Sequence, residues 1–349
     1  MRKLSWFNRI VLALNLVLAA LTILSYALPY IAPQLMPLPA VLTLFLPVLL
    51  VANLLVFCYW LLLSKKQMLW SGIVLLLGLP FLGKFYQVGE TELAASDKDF
   101  TVMSYNVRLF DLFDWMQKTG VKDSILGFIN TQNPSIVCLQ EYSKNAKVNL
   151  RVYTYKAIHM GGKRIKTGQA IFSKFPILGH GELALPHSNN NIIFADIRKG
   201  KDTLRIYSMH LESIRISPDV REIEANVDQL NRSKSEQLFQ RLRKGFIKQQ
   251  QQAEILAHHA RQCPYPTLIC GDMNNSAFSY VYRLIRGDLN DCFTEAGKGF
   301  GQTYQFKYYP ARIDYIFADP QLSVKDYQGF PNFVYSDHFP IMARLAFKD

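Results

Sequence analysis

Eight side chains stand out in this sequence by type and by place: Asn106, Glu141, His210, Asp272, Asn274, Asp314, Asp337 and His338. They sit in six clusters, Ser104-Tyr-Asn106, Leu139-Gln-Glu141, Ser208-Met-His210, Gly271-Asp-Met-Asn274, Arg312-Ile-Asp-Tyr-Ile316 and Tyr335-Ser-Asp-His-Phe-Pro-Ile341. Each cluster lies beside a short apolar, β-prone run, so the polar groups fall at the ends of successive strands. Carboxylates, amides and imidazoles gathered in this way suit metal-assisted cleavage of a phosphoester. That reaction needs the phosphoryl oxygens neutralised, a water activated and the leaving oxygen assisted.

Hard oxygen donors suit magnesium or manganese, which typically take one or two carboxylates and complete their shell with water and substrate. Glu141 and Asn106 end neighbouring strands and could share one ion, with Asp337 a further ligand. Asp272 and Asn274, two apart in a turn, could face one pocket and orient a nucleophile. His338 could act as base or as a cation on the phosphate, with an acid such as Asp314 fixing its tautomer. Taken singly, each residue has an ordinary reading: Asn106 as a loop cap, Glu141 as a solvated charge, Asp272-Met-Asn274 as a turn, His210 as a hydrogen-bonded core histidine. The ordered set is what argues for chemistry.

The elements that must position these groups read as strand, loop, strand. Phe100–Tyr105 alternates and presents Asn106. Lys122–Asn130 has helical spacing through Ile125, Leu126 and Ile129, and Asn133-Pro134 stops it. Strands are expected at Ser135–Leu139, Thr167–Ser173, Thr267–Cys270, Arg312–Ala318 and Met342–Phe347, and a long helix over Lys234–Gln262. Asn191–Arg198 and Thr203–His210 flank Lys199-Gly-Lys-Asp202, a hairpin signal. Helices between some strands and a hairpin between others predict two packed mixed sheets covered by helices, an α/β arrangement.

Charge is unevenly spread. The chain has 349 residues and a formal charge of +12, but residues 1–88 hold six of the 39 basic residues and none of the 27 acidic ones, which leaves +6 for the remainder. Three apolar stretches, about 10–31, 38–63 and 69–86, each approach the ~20 residues that span a bilayer. Residues 1–88 therefore read as an all-α membrane anchor of three helices, 89–99 as a linker and 100–349 as the catalytic domain. Arg2, Lys3, Arg9, Lys65 and Lys66 should stay cytoplasmic, so three crossings put the catalytic domain outside the cell membrane. Cys58, Cys138, Cys263, Cys270 and Cys292 show no CxxC spacing and read as free thiols.

The ordered clusters from Phe100 to the C-terminus resemble the endonuclease/exonuclease/phosphatase superfamily, the deoxyribonuclease-I-like phosphohydrolases. The resemblance implies a four-layer α/β/β/α sandwich with its site at one end of the two sheets, and a magnesium or manganese cofactor. It implies that Asn106 and Glu141 form the metal-site pair and that His210 protonates the leaving group or contacts the phosphate. Asp272 and Asn274 would position the water, Asp314 would orient the final histidine, and Asp337 and His338 would be the terminal motif. Arg108 stands where one repair branch often has an acid, and Gln169 where many relatives carry Asn; both are candidate substrate contacts. Arg232, Lys234, Arg241, Arg243, Lys244, Lys248 and Arg261 give the segment after His210 a basic bias suited either to a polyanion or to anionic headgroups, or simply to a solvated helix face.

The expected function is a membrane-anchored, divalent-metal-dependent phosphoesterase. Its substrate is either nucleic acid or a lipid-linked phosphoester or pyrophosphate, in the manner of a sphingomyelinase, and its partners are that substrate and the membrane, with no obligate protein partner evident. A non-catalytic membrane scaffold is the remote alternative, disfavoured because every expected polar position is filled.

Overall fold

The computed structural model describes residues 4–89, 93–161, 167–186, 188, 190–214, 232–307 and 309–348. Arg2, Lys3, residues 90–92 of the segment 89–99 and the side chains of Arg232 and Lys234 lie outside the described residues.

Three helices come first: α1 (Trp6–Ala27), α2 (Leu42–Leu62) and α3 (Met68–Phe85). With the short 3-10 turns Leu28–Tyr30 and Pro39–Val41 added, the helical stretches Trp6–Tyr30, Pro39–Leu62 and Met68–Phe85 are each long and apolar enough to cross a membrane. Large apolar side chains such as Leu14, Leu55, Leu62 and Leu76 point outward. The few polar groups between the helices find one another: Asn53 Nδ2 donates to Thr22 Oγ1 at 2.8 Å, and Ser71 Oγ donates to Asn15 Oδ1 at 2.7 Å. Such bonds fix helix register where apolar packing alone is indifferent to it.

The remainder is a sandwich of two six-stranded mixed sheets. The first contains β1 (Phe100–Asn106), β2 (Ile136–Ser143), β3 (Tyr155–Gly161), β4 (Thr167–Ser173), β11 (Leu322–Gly329) and β12 (Ile341–Phe347), in the order β11-β12-β1-β2-β4-β3. The second contains β5 (Ile177–Leu183), β6 (Ile192–Lys199), β7 (Asp202–His210), β8 (Thr267–Asp272), β9 (Asn290–Asp291) and β10 (Asp314–Ala318), in the order β5-β6-β7-β8-β10-β9. Only the two central pairs, β1 with β2 and β7 with β8, run parallel. Each of these needs a crossover, and α4 (Val121–Gln132) and α5 (Arg232–Arg261) supply them.

Alternation along the strands builds three apolar layers. Val102, Ile136, Cys138, Ile206, Leu268 and Ile316 meet between the sheets. Met103, Tyr105, Val137 and Leu139 face the other way, beneath Ile125 and Ile129 of α4. Tyr207, Met209, Ile269 and Phe317 lie beneath Leu256 of α5 and Val281 of α6 (Tyr280–Arg286). A last short helix, α7 (Cys292–Ala296), closes the edge near β9. Cys138 and Cys270, inside apolar strands, and Cys292 are buried free thiols.

One strand expectation shifts, and β3, β5, β9 and β11 were not expected from the sequence. β10 begins at Asp314 rather than Arg312, because the Arg312 guanidinium turns inward, bonds Asp291 at 2.8 Å and donates to the Lys84 carbonyl at 3.0 Å. β5, whose exposure alternates along Ile-Leu-Gly-His-Gly-Glu-Leu, has no apolar run to announce it. The residues 93–99 do not hang free. Leu93 N donates to Lys325 O at 2.9 Å, and Asp99 bonds Lys325 on β11 and Arg344 on β12.

Candidate active site

The strand registers set the site. In the second sheet His210, Asp272 and Asp314 are direct neighbours across β7, β8 and β10. In the first sheet Asn106 closes β1 beside Gln140, and Glu141 follows. Because the two sheets pack face to face, these ends meet at one edge of the sandwich.

Local backbone features aim the side chains. At Glu141 the pairing of β2 with β4 slips by one residue, and Glu141 takes φ +50°, a left-handed conformation that swings its carboxylate out of the strand alternation. Gly271 has φ +129°, and a Cβ there would collide with the Met209 backbone, so glycine is required just before Asp272. After Asn106 the chain runs through four consecutive left-handed residues, Arg108 to Asp111. Non-glycine residues pay roughly 1–2 kcal/mol each for that conformation, and such strain clusters at functional sites.

Asp272 is the hub. It receives Asn106 Nδ2 at 3.1 Å, the Asn274 backbone N–H at 2.8 Å and Asn274 Nδ2 at 3.2 Å. The His338 Nε2 lies 3.6 Å and the His210 Nε2 3.7 Å from the same carboxylate oxygen. Behind His338, Nδ1 meets Asp314 Oδ2 at 2.9 Å, the arrangement expected of an acid that fixes the imidazole tautomer. Glu141 Oε1 is 3.8 Å from His210 Nε2. Arg108 donates its backbone N–H to Asn106 Oδ1 at 3.1 Å, and its Nε lies 3.4 Å from Asp337 Oδ2.

These contacts polarise the two histidines in opposite senses. Burial alone would strip the proton from His338, but Asp314 and Asp272 overcome it and hold the imidazole well above its ordinary value. For His210 burial wins over the nearby Asp272 and lowers it. Burial pushes Asp272 up to about 6 despite His338, and raises Glu141, with Asp337 adding to the effect.

Crowded carboxylates in a poorly solvated site are what a divalent cation neutralises. The carboxylates of Glu141 and Asp337, with the amide oxygen of Asn106, form a hard-oxygen set that fits magnesium or manganese. Asp272, Asp314 and His338 also bring ligating atoms within 4.8 Å of one another. In that trio, however, His338 Nδ1 and Asp314 Oδ2 are already bonded together, so it works better as a hydrogen-bonded relay than as an ion cage.

Glu141, His210, Asp272, Asn274, Asp337 and His338 line one cavity of about 230 Å³. Gln169 does not reach it. Its side chain is fully buried between the sheets, accepting from Ser208 Oγ at 2.6 Å and donating to the carbonyl and the side chain of Asn191. With Gln140, which donates to Ser208 Oγ at 3.0 Å, it forms a hydrogen-bonded floor below the site. Several wall residues escaped the sequence reading. Tyr304, whose ring lies 4.9 Å from that of His338, and Phe306 and Tyr309 come from an aromatic run before β10 whose density was the available signal. Ser336 bonds the Asn106 carbonyl at 2.8 Å and so ties the terminal motif to β1. Leu44 and Phe45 of α2 also line the cavity, and nothing in an apolar span distinguishes them beforehand.

Comparison with known proteins gives two family matches. Residues 103–338 match the Endonuclease/Exonuclease/phosphatase family, and residues 8–85 match a domain of unknown function (DUF8431). An endonuclease/exonuclease/phosphatase from Bacteroides vulgatus superposes with a TM-score of 0.54 at 17% identity, over 72% of this chain and 99% of its own. The human Nocturnin catalytic domain with bound sulfate gives 0.53 at 16%, over 73% and 96%. D. rerio TDP2 complexed with single strand DNA product gives 0.52 at 16%, over 71% and 99%. At these identities the likeness speaks for the fold. No curated protein sequence matches the chain.

Proposed function

Because this chain belongs to the endonuclease/exonuclease/phosphatase family, we propose that it is a membrane-anchored phosphoester hydrolase dependent on a divalent metal. The observation that carries the reading is the convergence of Glu141, His210, Asp272, Asn274, Asp337 and His338 on one cavity.

Asn106, Glu141 and Asp337 would hold the ion. When bound, magnesium or manganese supplies neutralising charge for the phosphoryl oxygens. The remaining work falls to the chain. Asp272 and Asn274, held 3.2 Å apart, orient the attacking water. With its carboxyl lifted to about 6, Asp272 is suited to accept a proton near neutral pH. His338, kept cationic by two carboxylates, contacts a phosphoryl oxygen, and neutral His210 hydrogen-bonds the leaving oxygen. Arg108 steers the substrate phosphate while its pairing keeps Asp337 in place.

The catalytic domain is read as extracytoplasmic. Its contacts with the helices gather at one end of the trio, at Gln34, Thr43, Leu44 and Lys84. Lys65 and Lys66 lie in the turn at the other end, and positive charge favours the cytoplasmic side.

The test is hydrolysis of bis(p-nitrophenyl) phosphate by the purified full-length protein in detergent with magnesium or manganese. Turnover abolished by chelator and restored by metal is expected. Glu141→Ala and His338→Ala should each lower kcat by about 100-fold or more with an unchanged melting curve. Wild-type-like turnover in either variant would sink the assignment.

A further inference from the structure

We propose that the substrate is a membrane lipid carrying a phosphoester headgroup, presented to the site from the bilayer along the start of α2. The proposal rests on the phosphoester-hydrolase reading and adds the substrate class.

The cavity has a chemically mixed lining. The catalytic carboxylates and imidazoles supply its polar part. Leu44, Phe45, Ile214, Phe306 and Ile313 add apolar surface to the same lining. Leu44 and Phe45 belong to the first turn of α2, which begins at Leu42 and continues as the second apolar span. The cavity therefore borders the start of an apolar helix long enough to span a membrane, and Val48 and Val51, one and two turns further on, are exposed apolar residues on it.

This wall is bonded into place. Tyr309 OH, itself a lining group, donates to the Leu44 carbonyl at 2.6 Å. Ser276, two residues beyond Asn274, donates to the Thr43 carbonyl at 2.7 Å. Phe278 of the same loop is buried among Leu46, Leu50 and Phe81 of the helices. The loop that carries Asp272 and Asn274 is thus seated in the membrane helices, and the site is held against them.

The volume is consistent with a headgroup. A cavity of about 230 Å³ leaves room for a phosphoryl group and a small substituent. A polynucleotide instead needs a basic groove that its backbone can follow, with aromatic platforms for successive bases. Here part of the lining, Leu44 and Phe45, belongs to an apolar helix long enough to span a membrane. An amphiphile suits such a mixed lining, with its phosphate at the polar groups and its chain along Phe45. In the reaction the water oxygen bonds to phosphorus, one P–O ester bond breaks, and the proton released by the water ends on the departing alcohol.

The test uses the full-length protein reconstituted with magnesium. Vesicles of phosphatidylglycerol, of sphingomyelin, and of phosphatidylcholine carrying a polyprenyl phosphate are compared with single-stranded DNA and with bis(p-nitrophenyl) phosphate. The expected result is chelator-sensitive cleavage of one of the lipids with kcat/KM well above that for DNA. Phe45→Ser should lower lipid cleavage about tenfold more than cleavage of bis(p-nitrophenyl) phosphate, the scale of one apolar pocket contact. Phe45→Leu should restore it, which separates lost contact from misfolding. Cleavage of bis(p-nitrophenyl) phosphate with no lipid cleaved, a preference for DNA, or equal losses on both substrates in Phe45→Ser would overturn the lipid assignment and leave the hydrolase standing. No turnover of any substrate would overturn the hydrolase reading and the lipid assignment with it.

Discussion

His338 sits between two carboxylates, with Asp314 2.9 Å from Nδ1 and Asp272 3.6 Å from Nε2. The first contact fixes which nitrogen faces the cavity. Asp314→Asn keeps the shape and an acceptor oxygen but lets the amide flip and removes the charge that holds the ring cationic. It should cost about 100-fold or more in kcat, with binding of substrate and thermal stability little changed; steady-state kinetics on bis(p-nitrophenyl) phosphate beside a melting curve checks both. At this scale the sequence was informative because catalytic groups are rare residue types at strand ends. Asn106, Glu141, His210, Asp272, Asn274, Asp314, Asp337 and His338 stood out as an ordered set, while each alone kept an ordinary reading. Gln169 could not be sorted from them, since its type and its strand-like setting are the same; only its bonds to Ser208 and Asn191 assign it to the floor. The aromatic wall of Tyr304 and Phe306 was visible as composition but not as place.

At the scale of elements, the sandwich is fastened where chain segments distant in sequence meet. Asp99, just before β1, accepts from Ser96, from Lys325 on β11 at 2.7 Å and from Arg344 on β12 at 3.0 Å, and its side chain is 7% exposed. Burial opposes its ionisation, but these bonds prevail and hold the carboxyl well below the usual range. A carboxyl depressed on folding contributes stability above its unfolded value, about 4, and that contribution is lost as pH falls through the folded value. Asp99→Asn should therefore destabilise the neutral protein by about 2 kcal/mol and flatten the loss of stability on acidification below about pH 4. Melting curves across pH, in detergent, measure it. A parallel downward shift of both proteins with acid would refute the role. The strand and helix positions themselves were largely legible from alternation and helical spacing. β3, β5, β9 and β11 were not expected; in β5 glycine and polar residues replace an apolar run, and the start of β10 was misplaced because Arg312 is drawn aside by Asp291, a partner 21 residues away.

At the scale of the molecule, the helices and the sandwich share apolar contacts. Phe246 packs on Ala40, and Phe278 is buried among α2 and α3 side chains. A fragment beginning at Leu93 would uncover both. It should need detergent to stay monomeric in size-exclusion chromatography, whereas the full chain in micelles should not aggregate; a monodisperse fragment in plain buffer would count against the seating of the site on the helices. A reporter fused after Asp349 should read on the side opposite Lys65 and Lys66, and a reading on the same side would mean that α3 does not cross.

By itself the sequence determined the layers and the candidate chemistry. The period of two in the strands, the apolar spans without a single acid and the polar clusters at strand ends are local properties, set by residues within a few positions of one another. What the tertiary structure decided depends on registers and on contacts between distant segments. The alignment of His210, Asp272 and Asp314 across three strands, the bulge that turns Glu141 inward and the burial of Gln169 all follow from pairing, which no local pattern encodes. The same holds for the seating of the catalytic loop on α2. Leu44 and Phe45 read as two more apolar residues in a span, and only the hydrogen bonds of Tyr309 and Ser276, arriving from more than 230 residues away, make them a wall of the site.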